Sequence, residues 1–267
     1  MSIRTIFVIA QECSRGERQG WHDLVRQYGG VTRRLLVHYF PPLEPEIDHH
    51  VLGVFQRGRS HDNEWFRQLS FANEREFAMA FRELLFVYGR EAARLPVPQL
   101  TLEQVRDIMQ DLPVLEREML WLFIKGYDAA EVATTILNAE ATAQSTKQLA
   151  DQRLAQVLPG TSPDAFNISA RVLIEAAEKA RTPECLALKT FNNIVNGQIS
   201  WRERELAEEH IKNCFYCLDR FTSFREMIRM LNETAPLPDA AVEAVLARLE
   251  LPAAKSRGLL GRIFPGA

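Results

Sequence analysis

The sequence predicts an all-α protein, and three observations carry that prediction. Apolar residues recur at the three- and four-residue spacing that lines one side of a helix, as at Leu24, Tyr28, Val31, Leu35 and Leu36. Helix-start signals, an Asp or Ser followed three residues later by Glu, occur at Asp128/Glu131 and Ser200/Glu203. The two-residue alternation of a half-buried strand is nearly absent; only TIFVIA, residues 5–10, is ambiguous. The 267-residue chain is 46% hydrophobic and 25% charged with a net charge of −3. No overall basicity advertises nucleic acid, and no acidic excess advertises disorder. The apolar run near the start, Ile6 to Ala10, is too short for a secretory leader, and no stretch approaches the roughly eighteen apolar residues of a membrane span. A cytoplasmic protein is expected.

The elements follow in order. A helix is expected over 21–40, then a loop at PPLEP (41–45). A second helix starts near Ile47 and runs to about Gln56, with RGRSHDNE (57–64) as a loop. Residues 74–94 form a strongly apolar helix with arginines on its other face, and LPVPQLT (95–101) is a linker. LPGTSPDAF (158–166) closes a second segment, and a third begins near Ala170. LNETAPLPDA (231–240) separates a last short helix from a tail, KSRGLLGRIFPGA. Four regions result: 1–97, 98–160, 170–232 and 233–267. No period of about 20 to 50 residues repeats, so a solenoid is not indicated.

HIKNCFYC, residues 210–217, holds one histidine and two of the four cysteines in an H-x3-C-x2-C pattern. On one helix, His210, Cys214 and Cys217 stand at i, i+4 and i+7 and share a face. A closed tetrahedral zinc site needs a fourth ligand, and Cys185 can supply it. NGQIS (196–200) is a turn, and Ser200 and Glu203 begin a new helix. The two arms of the implied hairpin, roughly 16 Å from Cys185 to the turn and roughly 15 Å from Ser200 to His210, bring Cys185 level with His210 and Cys214. A disulfide or redox pair and a chance cluster of inert thiols are the other readings. In a cytoplasmic chain the shared face and the matching arms favour a Cys3His structural zinc site.

The segment ECLALKTFNNIVNGQISWRERELAEEHIKNCFYCLDRF, 184–221, resembles the zinc-binding anti-sigma domain of bacteria in its C-x24-H-x3-C-x2-C spacing and its glycine-containing turn. The resemblance implies a hairpin that packs on sigma-factor domains and occludes surfaces that bind RNA polymerase; some members lose zinc when their cysteines oxidise. LPVLEREMLWLFIKGYDAAEVATTILNAEATAQSTKQLADQRL, 112–154, is similar to the helix-turn-helix domain of extracytoplasmic-function sigma factors, with its LP…ER opening and G…EVA turn. Its expected core is Leu120, Phe123, Val132, Ala133, Ile136, Leu149 and Leu154. GVFQRG and EFAMAFRELLFVYGREAAR, within 21–94, are similar to the sigma domain that binds polymerase and melts the promoter. The implied architecture is a sigma-factor-like helical domain, a helix-turn-helix domain and a small zinc-stapled helical hairpin.

The resemblance implies a non-enzymatic bacterial transcription regulator, sigma-like, with a built-in zinc anti-sigma-like domain. Its expected partners are core RNA polymerase or a sigma factor, with promoter DNA reached within the holoenzyme and neither membrane nor small-molecule substrate involved. Gln144, Ser145, Lys147 and Gln148 are the candidates to meet base edges or phosphates. The charge departs from the pattern: residues 95–160 carry five Lys and Arg against nine Asp and Glu, whereas phosphate neutralisation supplies most DNA affinity. An interaction scaffold that binds no DNA is therefore the alternative.

Other candidates read plainly. His49 and His50 are adjacent, so on a helix they point about 100° apart and do not share an ion. Arg15 and Arg18 could lower the pKa of Cys13, but an ordinary free thiol is expected. Trp21, Trp65, Trp121 and Trp201 are expected in the core. No P-loop, nucleophile elbow, dinucleotide fingerprint or zincin motif is present.

Overall fold

The computed structural model describes residues 4–94, 97–249 and 251. Every regular element among them is helical, and they form two compact units. The expected linker residues Leu95 and Pro96 and the tail at 255–267 lie outside the described residues.

The first unit takes in Met1–Val37, Pro42–Gly89 and the described part of Thr234–Ala267. It is built from α1 (Ile6–Ser14), α2 (Arg18–Tyr39), α3 (Ile47–Gln68), α4 (Glu74–Ala92) and, from the far end of the chain, α13 (Asp239–Arg248). The ambiguous TIFVIA is helix: Ile6, Ile9, Ala10 and Cys13 are buried at helical spacing, and α1 packs against α3. The stripe of α2 lies in the core as expected, with Trp21 edge-on to Phe66 and Tyr28 against Phe77 and Phe81. PPLEP forms part of a short 3-10 helix, Pro41–Glu46. The loop expected at 57–64 shrinks to a break inside α3, where Ser60 is extended and His61, Asp62 and Asn63 are left-handed.

Gly29 and Gly30 sit in the middle of α2, where each costs about 1 kcal/mol relative to alanine. The reason is close approach. A Cβ on Gly29 would overlap the Leu237 side chain, and one on Gly30 would meet Thr234 and the Ala235 carbonyl. The Leu237 N–H donates to the Arg26 carbonyl at 2.9 Å, and Arg18 pairs with Glu243. The segment before α13 is thus seated in a notch of α2.

The second unit comprises His38–Pro41 and Arg90–Glu233. It contains α5 (Leu102–Ile108), α6 (Val114–Ile124), α7 (Ala129–Ile136), α8 (Glu140–Val157), α9 (Ala165–Lys179), α10 (Leu188–Val195), α11 (Trp201–Asn213) and α12 (Phe215–Glu233). Both expected helix starts form capping boxes, Asp128 with Glu131 and Ser200 with Glu203. Of the expected core residues, Leu120, Phe123, Val132, Ala133, Ile136 and Leu154 are buried and Leu149 is half-buried. Regions 98–160 and 170–232, expected to be separate, share one core here. The physical cause is α12, which is buried on nearly all sides and packs on α6, α7, α9 and α11.

Part of that burial is polar. Lys125, fully buried, caps α6, and its Nζ lies 3.0 Å from Asp219 Oδ1, 2.9 Å from Thr222 Oγ1 and 2.8 Å from Ser223 Oγ. The Trp121 indole N–H donates to the same carboxylate at 2.9 Å. Further along α12, Glu226 accepts the hydroxyls of Tyr39 and Tyr127, and the Arg229 guanidinium lies over the Tyr127 ring. His38 stacks on Tyr127 and bonds the Lys125 carbonyl at 2.8 Å; burial, partly opposed by Glu226, lowers its pKa. Between α6 and α12, Glu118 lies 3.1 Å from Arg225 Nε but outside hydrogen-bonding geometry.

Two predictions arise from these contacts. Lys125→Met leaves the Asp219 carboxylate buried without its cation and should cost about 3–5 kcal/mol in urea unfolding. Adding Asp219→Leu should recover a large part, and a neutral single mutant would contradict the pairing. The second concerns pH. Burial pushes the Glu118 carboxyl up to about 7, against the pull of Arg225. Its folded pKa lies above the unfolded one, so the unfolded chain loses the proton first. Stability should fall by ~3 kcal/mol as pH rises from about 4.5 to about 7, then level off. Glu118→Gln should flatten that slope in a series of melts across this range.

Candidate metal centre

Cys185, His210, Cys214 and Cys217 converge in the second unit, with one ligand atom from each lying within 4.8 Å of all the others. This is the quartet expected from the sequence, and it can bind a metal ion. It is assembled differently from the expectation, however. His210, Cys214 and Cys217 do not share one straight helix. His210 is in the last turn of α11, Cys214 is an extended residue (φ −118°, ψ 109°) at the junction, and Cys217 is in the first turn of α12. On a straight helix the i and i+7 positions are about 10.5 Å apart along the axis, too far for both side chains to reach one ion. The break folds that distance up. Hydrogen bonds continue through it, from Cys214 N–H to the His210 carbonyl and from Leu218 N–H to the Cys214 carbonyl, each 2.9 Å.

Cys185 likewise precedes its helix. Thr182, Pro183, Glu184 and Cys185 form a turn closed by the Cys185 N–H on the Thr182 carbonyl at 3.2 Å, with proline at the second position, where its fixed φ suits a turn. The arm α10 then begins at Leu188 and returns through Gly197, whose φ is +66°. Phe191 anchors the arm by packing on Phe221 and Phe224 of α12. Cys185 still arrives beside Cys214, with Sγ to Sγ 3.8 Å. That is about the edge of a tetrahedron whose centre lies 2.3 Å from each sulfur, the usual zinc–thiolate length.

The sulfurs have their own donors, which the sequence pattern did not single out. The Thr182 N–H points at Cys185 Sγ (3.2 Å) and the Leu186 N–H at Cys217 Sγ (3.3 Å). Such donors stabilise thiolates and orient them. At Cys185 burial works against the thiolate, but the Thr182 N–H and hydroxyl, with Cys214 and Cys217, outweigh it and hold the pKa below its ordinary value. Burial pushes the Cys214 and Cys217 thiols up. His210 Nε2 is buried with no hydrogen-bond partner, as a nitrogen reserved for a metal would be. All four cysteines of the chain are free thiols.

The DNA-contact candidates lie elsewhere in this unit. Gln144, Ser145, Lys147 and Gln148 are exposed on α8. Three of them are engaged locally: Gln144 bonds Glu140 (2.9 Å), Ser145 donates to the Ala141 carbonyl (2.9 Å), and Lys147 pairs with Asp151 (2.9 Å). Arg153, the other cation of α8, donates to the carbonyls of Ile108 and Gln110. Among the remaining candidates, Cys13 is fully buried and burial raises its pKa well above the ordinary value, so Arg15 and Arg18 do not activate it. His50 bonds the Tyr88 hydroxyl at 2.9 Å rather than sharing an ion with His49. Trp201 is not core: it follows the Ser200 cap at the start of α11 and is 77% exposed.

The quartet predicts that purified protein carries one metal ion per chain and that Cys214→Ser or a strong chelator removes it. Because binding free energy in so small a site is largely folding free energy, the expected sign of loss is proteolytic cleavage confined to 180–215. Elemental analysis together with limited proteolysis makes the check, and metal-free protein equally resistant to protease would overturn it. No helix among the described residues is long and apolar enough to cross a membrane.

In comparison with known proteins, the chain matches no family model, no curated protein and no solved structure.

Proposed function

We propose that the metal is zinc and that the chain is a bacterial transcription regulator. In this reading a sigma-factor-like helical part carries its own zinc anti-sigma-type element, which tunes engagement with core RNA polymerase or a sigma factor. Three thiols and an imidazole gathered within 4.8 Å of one another are the donor set zinc favours, and four protein ligands leave no position for a substrate water, which argues against catalysis by the metal. The observation that carries the reading is the docking of α12: the segment that resembles an anti-sigma domain is bound through Lys125–Asp219 to the segment that resembles a sigma helix-turn-helix. An inhibitory element fused to its target would make such a contact within one chain.

A specific observation favours a second reading, a protein-interaction scaffold that touches no DNA. Lys147 and Arg153, the cations of α8, are each tied to groups of the unit itself, so the helix offers few charges to phosphates.

The deciding experiment offers tagged protein to core RNA polymerase and to sigma factors, with and without zinc, and in parallel titrates labelled promoter duplex. Retention of polymerase or a sigma factor, altered by zinc removal, is expected. Duplex binding by the protein alone should stay in the non-specific range of about 10⁻⁴ to 10⁻⁶ M at physiological salt. If neither protein is retained in either zinc state, the transcription reading fails. Retention in a complex that never contacts promoter DNA selects the scaffold.

A further inference from the structure

The first unit contains an open cleft of about 660 Å³ that the reading above does not use. Three separate pieces of chain wall it: the α1–α2 turn with Arg15 and Gly16, the break in α3 from Arg59 to Asn63, and the end of α13 with Arg248 and Leu249. We propose that this cleft binds a phosphorylated small molecule of nucleotide size, as a ligand and not a substrate.

Charge is the first ground. Among the described lining residues, Arg15, Arg59 and Arg248 face one space with one carboxylate, Asp62, and that carboxylate is paired with Arg67. Arg59 donates to the Leu249 carbonyl and Arg15 pairs with Glu17 at the exposed rim (2.6 Å), while Arg248 has no ion-pair partner among the described residues. Guanidinium forks converging on one opening match the geometry of phosphate oxygens.

The second ground is independent of charge. Asn63 lines the cleft, is only 5% exposed, and its Oδ1 is buried with no hydrogen-bond partner. A buried acceptor left empty costs about 1–3 kcal/mol, so a ligand N–H or O–H is the group it lacks. Inorganic phosphate carries an O–H of its own but fills little of a cleft of about 660 Å³. A ribose hydroxyl or a base amine on a phosphate-bearing molecule supplies both features, and cavities of about 300–1,000 Å³ suit ligands of that size.

The backbone adds a third. His61, Asp62 and Asn63 are successive non-glycine residues at φ +51°, +58° and +62°. Each such residue costs on the order of 1–3 kcal/mol, and strain of this kind persists where the surroundings impose it, often at ligand clamps. Here it turns Asn63 into the cleft. Because α13 contributes Arg248, an occupant would also tie α13 to the break in α3.

Calorimetric titration of the full chain with ADP, ribose 5-phosphate, inorganic phosphate and a single-stranded oligonucleotide tests this, independently of whether the transcription reading holds. Saturable binding of ADP or ribose 5-phosphate, tighter than inorganic phosphate, is expected. Arg15→Gln and Arg248→Gln should each weaken it about fivefold or more, in keeping with charge-assisted contacts. Asn63→Gly, which keeps the left-handed backbone and removes the amide, should weaken the two organic phosphates and leave inorganic phosphate unchanged. Arg202→Gln, on exposed α11, should change nothing. The proposal is overturned if neither organic phosphate binds at millimolar concentration, or if Arg202→Gln weakens binding as much as the cleft variants. It is also overturned if the oligonucleotide binds far more tightly and displaces ADP, which would make the cleft a nucleic-acid contact.

Discussion

A lysine ammonium sealed from water survives only if charge and hydrogen-bonding are satisfied on the spot, and at Lys125 that requirement organises the second unit. Its three protons need acceptors, and α12 presents them on one side: the Asp219 carboxylate with the hydroxyls of Thr222 and Ser223 three and four residues on. Only one axial and rotational setting of α12 against α6 satisfies that arrangement. A slide of one residue would rotate the acceptors by about 100° and leave a bare charge. Cys217 stands two residues before Asp219 and Glu226 one turn beyond Ser223, so the same setting places a metal ligand at one end and the partner of Tyr39 and Tyr127 at the other. Buried polar contacts of this kind add little net stability over apolar packing, but they penalise every wrong register.

The hairpin of α10 and α11 depends on that placement. Its buried apolar residues are Phe191, Ile194, Ala207 and Ile211, too few to close a core without help. Cys217 anchors the candidate metal site on the fixed helix, and a metal there would let Cys185 tie the distal arm to it. The break at Cys214 belongs to the same logic: an uninterrupted helix from α11 into α12 would keep His210 out of reach of an ion that Cys217 could hold.

Much of this was legible in the sequence. The α2 stripe, both capping boxes and the identity of the four ligands follow from local rules, because short-range spacing and capping are encoded within a few residues. The misses share a cause. Nothing in H-x3-C-x2-C distinguishes a continuous helix from two helices meeting at Cys214, since both put the three residues on one side of the chain, and only the break draws them to one point. Trp201 was placed inside because large aromatics usually are, yet its position at a hairpin tip leaves it nothing to pack on. That 98–160 and 170–232 lie in one compact unit has a tertiary reason. Asp219, Thr222, Ser223 and Glu226 read as a polar helix face, and only Lys125 and two tyrosines far along the chain turn that face into an interior.

The notch at Gly29 and Gly30 bears on the order in which the protein comes into being. Its occupant, Leu237, leaves the ribosome more than two hundred residues after the two glycines that receive it, on the count of the sequence. Throughout that interval α2 carries two helix-weakening glycines without the contact that compensates for them. The first unit is therefore completed last although it is begun first, and the entire second unit is synthesised while its neighbour waits. A chain truncated between residues 233 and 237 would have every helix of the second unit and an unfinished first one.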